Sequence, residues 1–135
     1  MKPISYSVDL STQDLMSLIV HEMYQAYFAY GPGIYEKVYE ASLAGRLRKH
    51  GLKVECQRQY RITDDYVNDI SAFYADMVVD DRVIIELKSV EVIPPIAWTQ
   101  LRTYLRLSGI KHGLLVNFNS QKLKDNIFRV VDGYQ

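Results

Sequence analysis

Val83-Ile84-Ile85-Glu86-Leu87-Lys88 carries a carboxylate and an ammonium two residues apart inside an otherwise apolar run. A run this short and rich in branched aliphatics reads as a strand buried on both faces. Side chains two apart on a strand leave the same face, so Glu86 and Lys88 point one way together. Taking such a charge out of water is costly unless something compensates it. A fold accepts that cost when the charges pair with each other or when they hold a metal.

Upstream of this strand, Asp80-Asp81 predicts a tight turn, preceded by a strand over 72–79 that contains Asp76. A further strand is expected over 53–62. Toward the N-terminus, Ser11 with Asp14 forms a capping pattern for a helix through about Tyr30, with Leu15, Ile19, Met23 and Tyr27 as its inner stripe. Gly31-Pro32-Gly33 ends that helix and opens a second over 34–50, with Val38, Leu43 and Leu47 as its apolar face.

Downstream, Pro94-Pro95 breaks the chain before a helix over 96–107, whose stripe is Ala97, Leu101 and Leu105 and whose Trp98 is expected between helix and sheet. Gly113-Leu114-Leu115-Val116-Asn117-Phe118 reads as a central strand. Residues 122–131 form a last element that the pattern leaves open between helix and strand. The order of elements predicts an α/β or α+β sheet with helices packed on it. The expected organisation is a single domain over 1–135, with a helical extension over 1–30 and a core over 31–131.

Sixteen basic and sixteen acidic residues cancel, so the chain lacks the overall positive charge typical of nucleic-acid binders. Local fields matter more than totals, so this excludes nothing. No apolar stretch reaches the roughly 20 residues of a membrane span, and no leader pattern opens the chain. The lone Cys56 rules out an internal disulfide and fits a reducing cytoplasm. His21, His50 and His112 have no metal-ligand spacing with one another.

Antiparallel pairing of the two strands would bring Asp76 and Glu86 together, so a cation should sit between them or one should be protonated. An oxygen-rich pair of this kind suits Mg²⁺, with Mn²⁺ as substitute. Without metal, their repulsion should destabilise the fold. Glu36 and Glu40 form a second acidic pair on the second helix, explained equally well by the helix macrodipole. Gln100 and Tyr104 share one face of the later helix, where polar surface is the plain explanation.

These placements, with Asp76, Glu86-Leu87-Lys88 and a preceding helix that carries Glu40, resemble the PD-(D/E)XK nuclease superfamily. Gly33-Ile34-Tyr35-Glu36-Lys37-Val38-Tyr39 resembles the G-x-x-E-x-x-Y signature of a small family within it. The likeness continues through Gln100-Leu101-Arg102-Thr103-Tyr104, the strand at Gly113 and Leu123-Lys124-Asp125.

The resemblance implies a restriction-endonuclease-like αβββαβ core with a mixed central sheet flanked by helices. It also implies metal-dependent cleavage of a phosphodiester, in which Asp76 and Glu86 ligate Mg²⁺ and Lys88 assists the attacking water. Glu40 would support the metal, and Gln100 and Tyr104 would flank the site. The implied partner is nucleic acid, DNA first, with a homodimer expected for a nuclease this small and no membrane. Two positions depart from the family pattern: Tyr74 stands where a basic residue is frequent, and Ala97 where a His is frequent. The competing expectations are a catalytically silent binding or regulatory module, and a simple Glu86–Lys88 ion pair.

Overall fold

The computed structural model describes residues 10–132; residues 1–9 and 133–135 of the expected domain range lie outside them. Five strands, β1 (Val54–Ile62), β2 (Ile70–Val79), β3 (Val83–Lys88), β4 (His112–Asn117) and β5 (Ile127–Val131), form one sheet in that spatial order. β3 is central, antiparallel to β2 and parallel to β4, and Val83 through Leu87 are all buried. Helices α1 (Thr12–Tyr30) and α2 (Glu36–Arg48) precede the strands, and α3 (Ile96–Ser108) makes the crossover that a parallel β3–β4 pair requires. From α2 onward the order is αβββαβ, the expected restriction-endonuclease-like core of an α+β fold.

The local signals act as chemistry dictates. The Ser11 side chain accepts the Asp14 N–H at 3.0 Å and caps α1. Asp80 and Asp81 both take positive φ, 56° and 55°, as a type I′ hairpin turn requires, and the Arg82 N–H closes it on the Val79 carbonyl. Gly109 ends α3 in the left-handed region at φ 79°.

Several expectations are corrected. α2 is shorter than 34–50, and Val38 is 39% exposed while Tyr39 is buried in its place. Val38 stands one residue off the stripe Tyr39, Leu43, Leu47, whose spacing follows the helical period. β2 begins earlier than expected, at Ile70. The undecided last element is a 3₁₀ turn (Leu123–Asn126) leading into β5, whose branched residues pair with β4.

Two cores flank the sheet. α1 and α2 cover one face, packing Leu15, Ile19, Met23, Tyr39, Leu43 and Leu47 on Val83, Ile85, Leu87 and Val116. α3 covers the other, packing Ala97, Leu101 and Leu105 on Ile84 and Leu115, with Trp98 edge-on to Phe128.

β2 changes face along its length. Met77 and Val79 belong to the α1/α2 core, whereas Ala75 and Phe73, of the same parity, belong to the α3 core. The switch falls at Asp76. On β1 it falls at Gln57, which has φ 52°: Val54 and Cys56 lie on the α1/α2 side and Tyr60 on the α3 side. Beyond this switch Tyr60, Phe73 and Tyr104 stack in a column, with centroids 4.9 and 4.0 Å apart. The Tyr60 hydroxyl is buried there without a hydrogen-bond partner among the described residues. Tyr60→Phe should therefore raise stability by about 1 kcal/mol in urea unfolding, since it removes a desolvated hydroxyl and no bond. A loss of similar size would reveal a partner for that hydroxyl.

Candidate metal centre

The β2–β3 ladder pairs Val79 with Val83, Val78 with Ile84 and Met77 with Ile85, then gives way to side chains. At the next position the Asp76 N–H donates to Glu86 Oε2 at 2.8 Å, and the Leu87 N–H donates to Asp76 Oδ2 at 3.0 Å. The two carboxylates thus take over where ladder carbonyls would otherwise serve, at the fork where β2 leaves β3. Face switching at Asp76 and buried apolar residues on both sides of Glu86 hold them there.

Glu86 is 8% exposed. Burial, and next the charge of Asp76, push its carboxyl up to about 8; the Asp76 N–H and the Lys88 charge pull the other way. Two adjoining carboxylates with little water are short of a positive partner. Lys88 lies half-buried on the Glu86 face of β3, and its charge acts on Glu86, yet among the described residues it forms no ion pair. A simple Glu86–Lys88 ion pair is therefore not what the strand buries.

Glu40 comes from α2, on the opposite face from Glu86. It was expected as a third ligand, but it stands one residue removed from Asp76. Gln57 Nε2 donates to Glu40 Oε1 at 3.0 Å and to Asp76 Oδ1 at 3.3 Å. Burial, with further contributions from Asp76 and Glu36, raises the Glu40 carboxyl, while the Gln57 bond opposes this. Among the described residues no three His, Cys, Asp or Glu side chains gather closely enough to hold one ion together. The protein donors at the fork are the two carboxylates of Asp76 and Glu86. That set still fits Mg²⁺, a hard ion that commonly keeps one or two carboxylates and takes its other ligands from water and phosphate.

Tyr104 reaches this region from α3: burial first, then the charges of Glu86 and Asp76, raise its phenol. Gln100, one turn earlier on α3, is exposed. Four surface clefts of 400, 440, 530 and 560 Å³ are lined by other residues.

The Gly33-x-x-Glu36-x-x-Tyr39 signature is structural in its geometry. Glu36 accepts the Ser89 N–H at 3.2 Å, just past Lys88, and Ser89 Oγ donates to the Ile34 carbonyl at 2.6 Å. The Tyr39 hydroxyl donates to the Gly31 carbonyl, and its ring stacks on Phe118 at 4.4 Å. These contacts clasp the end of β3 to the start of α2. Asn117 does the same from β4, donating to the Val90 carbonyl at 2.9 Å and accepting the Val90 N–H at 3.1 Å.

Sequence reasoning missed Gln57 and Asn117. Asn117 had a signal, a buried amide in a run of apolar residues. Gln57 had none.

No helix among the described residues is long and apolar enough to cross a membrane. No curated protein matches the chain significantly. A solved structure, the crystal structure of SSO0001, shares 19% identity at a TM-score of 0.51, covering 90% of this chain and 67% of that one. At that identity the likeness speaks for the fold alone. A family model for the PD-(D/E)XK nuclease superfamily matches residues 13–130, which include every residue of the fork. Because the match spans most of the sequence, the chain belongs to the PD-(D/E)XK nuclease superfamily.

Proposed function

We propose that this protein is a Mg²⁺-dependent nuclease hydrolysing phosphodiester bonds, with DNA the first substrate to test. Superfamily membership supports a nuclease-type function in general. One observation carries the specific reading: Asp76 and Glu86 meet at the fork with the Glu86 carboxyl raised to about 8, an arrangement that a divalent cation would relieve.

Asp76 and Glu86 would hold the ion, which when bound supplies Lewis-acid polarisation of a phosphoryl oxygen and a more acidic water. Lys88 would stabilise negative charge developing on the phosphoryl oxygens, or orient the attacking water. Glu40 acts on the site through Gln57. Tyr104 and Gln100 would border the bound strand, Tyr104 beside the carboxylates and Gln100 toward solvent. The clasp built by Glu36 and Tyr39 supports placement in the GxxExxY branch, with the motif serving to anchor β3 rather than to react.

The reading extends to the whole chain as one domain, to a cytoplasmic setting supported by the lone Cys56, and to a homodimer that would widen the grip on a polymer. A second reading, a silent binding or regulatory module, is favoured by the two-carboxylate donor set and by exposed Tyr74 beside it.

End-labelled single- and double-stranded DNA and RNA, incubated with Mg²⁺ or Mn²⁺ and then with chelator, decide between them. Cleavage that needs the ion supports the nuclease. Nucleic-acid binding without cleavage, together with no heat on Mn²⁺ titration, supports the silent module.

A further inference from the structure

Gln57 breaks a rule of its own strand. It lies within β1 at φ 52°, a left-handed conformation that a long unbranched side chain seldom takes. Its neighbours pair normally across the ladder, Cys56 with Met77 and Arg58 with Ala75, so the distortion is confined to the position facing Asp76. Such local strain persists where surrounding contacts over-determine it, and it gathers at functional sites.

The outcome of the distortion is specific. The carboxamide is brought between two acids from different elements, Glu40 on α2 and Asp76 on β2, and Nε2 reaches both, at 3.0 and 3.3 Å. Carboxylates only accept, so the NH₂ end must face them, and its two hydrogens suffice for one bond each. Leu87 N–H takes the other Asp76 oxygen. Asp76 is thereby gripped from both sides, and its rotamer is fixed.

We propose that Gln57 is a positioning residue for the metal centre, clamping Glu40 and Asp76 at a set spacing so that Asp76 presents its carboxylate to the ion. This rests on the nuclease reading for its consequence, though the clamp itself can be tested without metal. Groups that orient a metal's direct ligands commonly change its affinity 10- to 100-fold when lost.

The test uses Gln57→Gly and Gln57→Glu in the full chain. Glycine suits the left-handed backbone, so Gln57→Gly removes the carboxamide without adding strain. Isothermal titration should show Mn²⁺ binding weakened about tenfold or more in Gln57→Gly. Cleavage by Gln57→Gly should need correspondingly more Mn²⁺ for half its maximal rate, a shift that a merely structural role would not produce. Gln57→Glu sets a third acid between the first two, so in chelator its Tm should fall below that of the wild type, whose side chain meets the same backbone cost, with added salt narrowing the gap.

Mn²⁺ affinity unchanged in Gln57→Gly overturns the proposal. If the wild type binds no Mn²⁺, the metal reading fails by itself. The clamp is then decided in chelator, where equal Tm values for Gln57→Glu and the wild type reject it.

Discussion

In chelator, the wild-type protein will lose stability as pH rises from about 4.3, the value of an unfolded glutamate, toward 8, and Glu86→Gln will remove most of that loss. The sign follows from where the proton sits. With its carboxyl raised to about 8 in the fold, Glu86 keeps a proton that the unfolded chain has already released. The resulting stabilisation is complete below the unfolded value and disappears as pH climbs through the folded one. The slope for one such group is at most about 1.4 kcal/mol per pH unit, so the window spans several kcal/mol, a large share of a small domain's total stability.

Other groups titrate as well. Asp81, held low by its bonds to Arg58 and Lys53, gives a contribution of opposite sign at acid pH, and His112, lowered by burial and by Arg129, gives one near neutrality. The difference between wild type and Glu86→Gln cancels both. Glutamine keeps an oxygen for the Asp76 N–H, so the fork survives the substitution. Urea unfolding from pH 4 to 9 reads the result, and Mn²⁺ should restore the wild type at the alkaline end. Parallel profiles for the two proteins would mean that Glu86 is ionised at no cost, leaving no repulsion for a cation to relieve.

Much of this fold can be read from the chain because local and long-range signals agree. The Ser11 cap, the Asp80-Asp81 turn and the aliphatic run at β3 each specify their element and then pack as that element requires. The turn also fixes register, so the approach of Asp76 to Glu86 follows from pairing alone. What the sequence hides is the break in pleat at Gln57 and Asp76.

Phe73, Ala75, Met77 and Val79 alternate perfectly in sequence and predict one buried face, yet they divide between two cores. No residue type announces a left-handed glutamine, and a reading built on strict period two has no place for it. The same gap explains Glu40. Its position four residues after Glu36 was visible, whereas its separation from Asp76 by an intervening amide depends on that backbone distortion. The G-x-x-E-x-x-Y signature was legible as a pattern but not as a clasp, because Ser89 and Phe118 are distant in sequence.

The second large effect separates chemistry from architecture at Asp76 and Lys88. Repulsion alone would make any substitution of Asp76 stabilising in chelator. The geometry divides that expectation, because Asp76 Oδ2 also receives the Leu87 N–H. Asp76→Asn retains an oxygen for that donor and relieves the repulsion, but turns its NH₂ toward the Gln57 NH₂, so its metal-free stability should stay near the wild type's. Asp76→Ala strands the amide and should fall about 1–3 kcal/mol below Asp76→Asn. Both should abolish metal-dependent cleavage, since neither offers a charged ligand.

Lys88→Met keeps the aliphatic stem and removes the ammonium, which forms no ion pair among the described residues, so the fold should be little changed. Its cleavage rate should drop about 10²- to 10³-fold, as when one preorganised donor to a developing oxyanion is lost. Mn²⁺ affinity should hold or rise slightly, because a neighbouring positive charge has gone. Titration calorimetry and single-turnover cleavage on the same preparations distinguish the two roles: Asp76→Asn should lose binding and rate together, Lys88→Met rate alone. If Lys88→Met cleaves at the wild-type rate, the ammonium has no part in the reaction, and the carboxylates at the fork must be explained by what they bind.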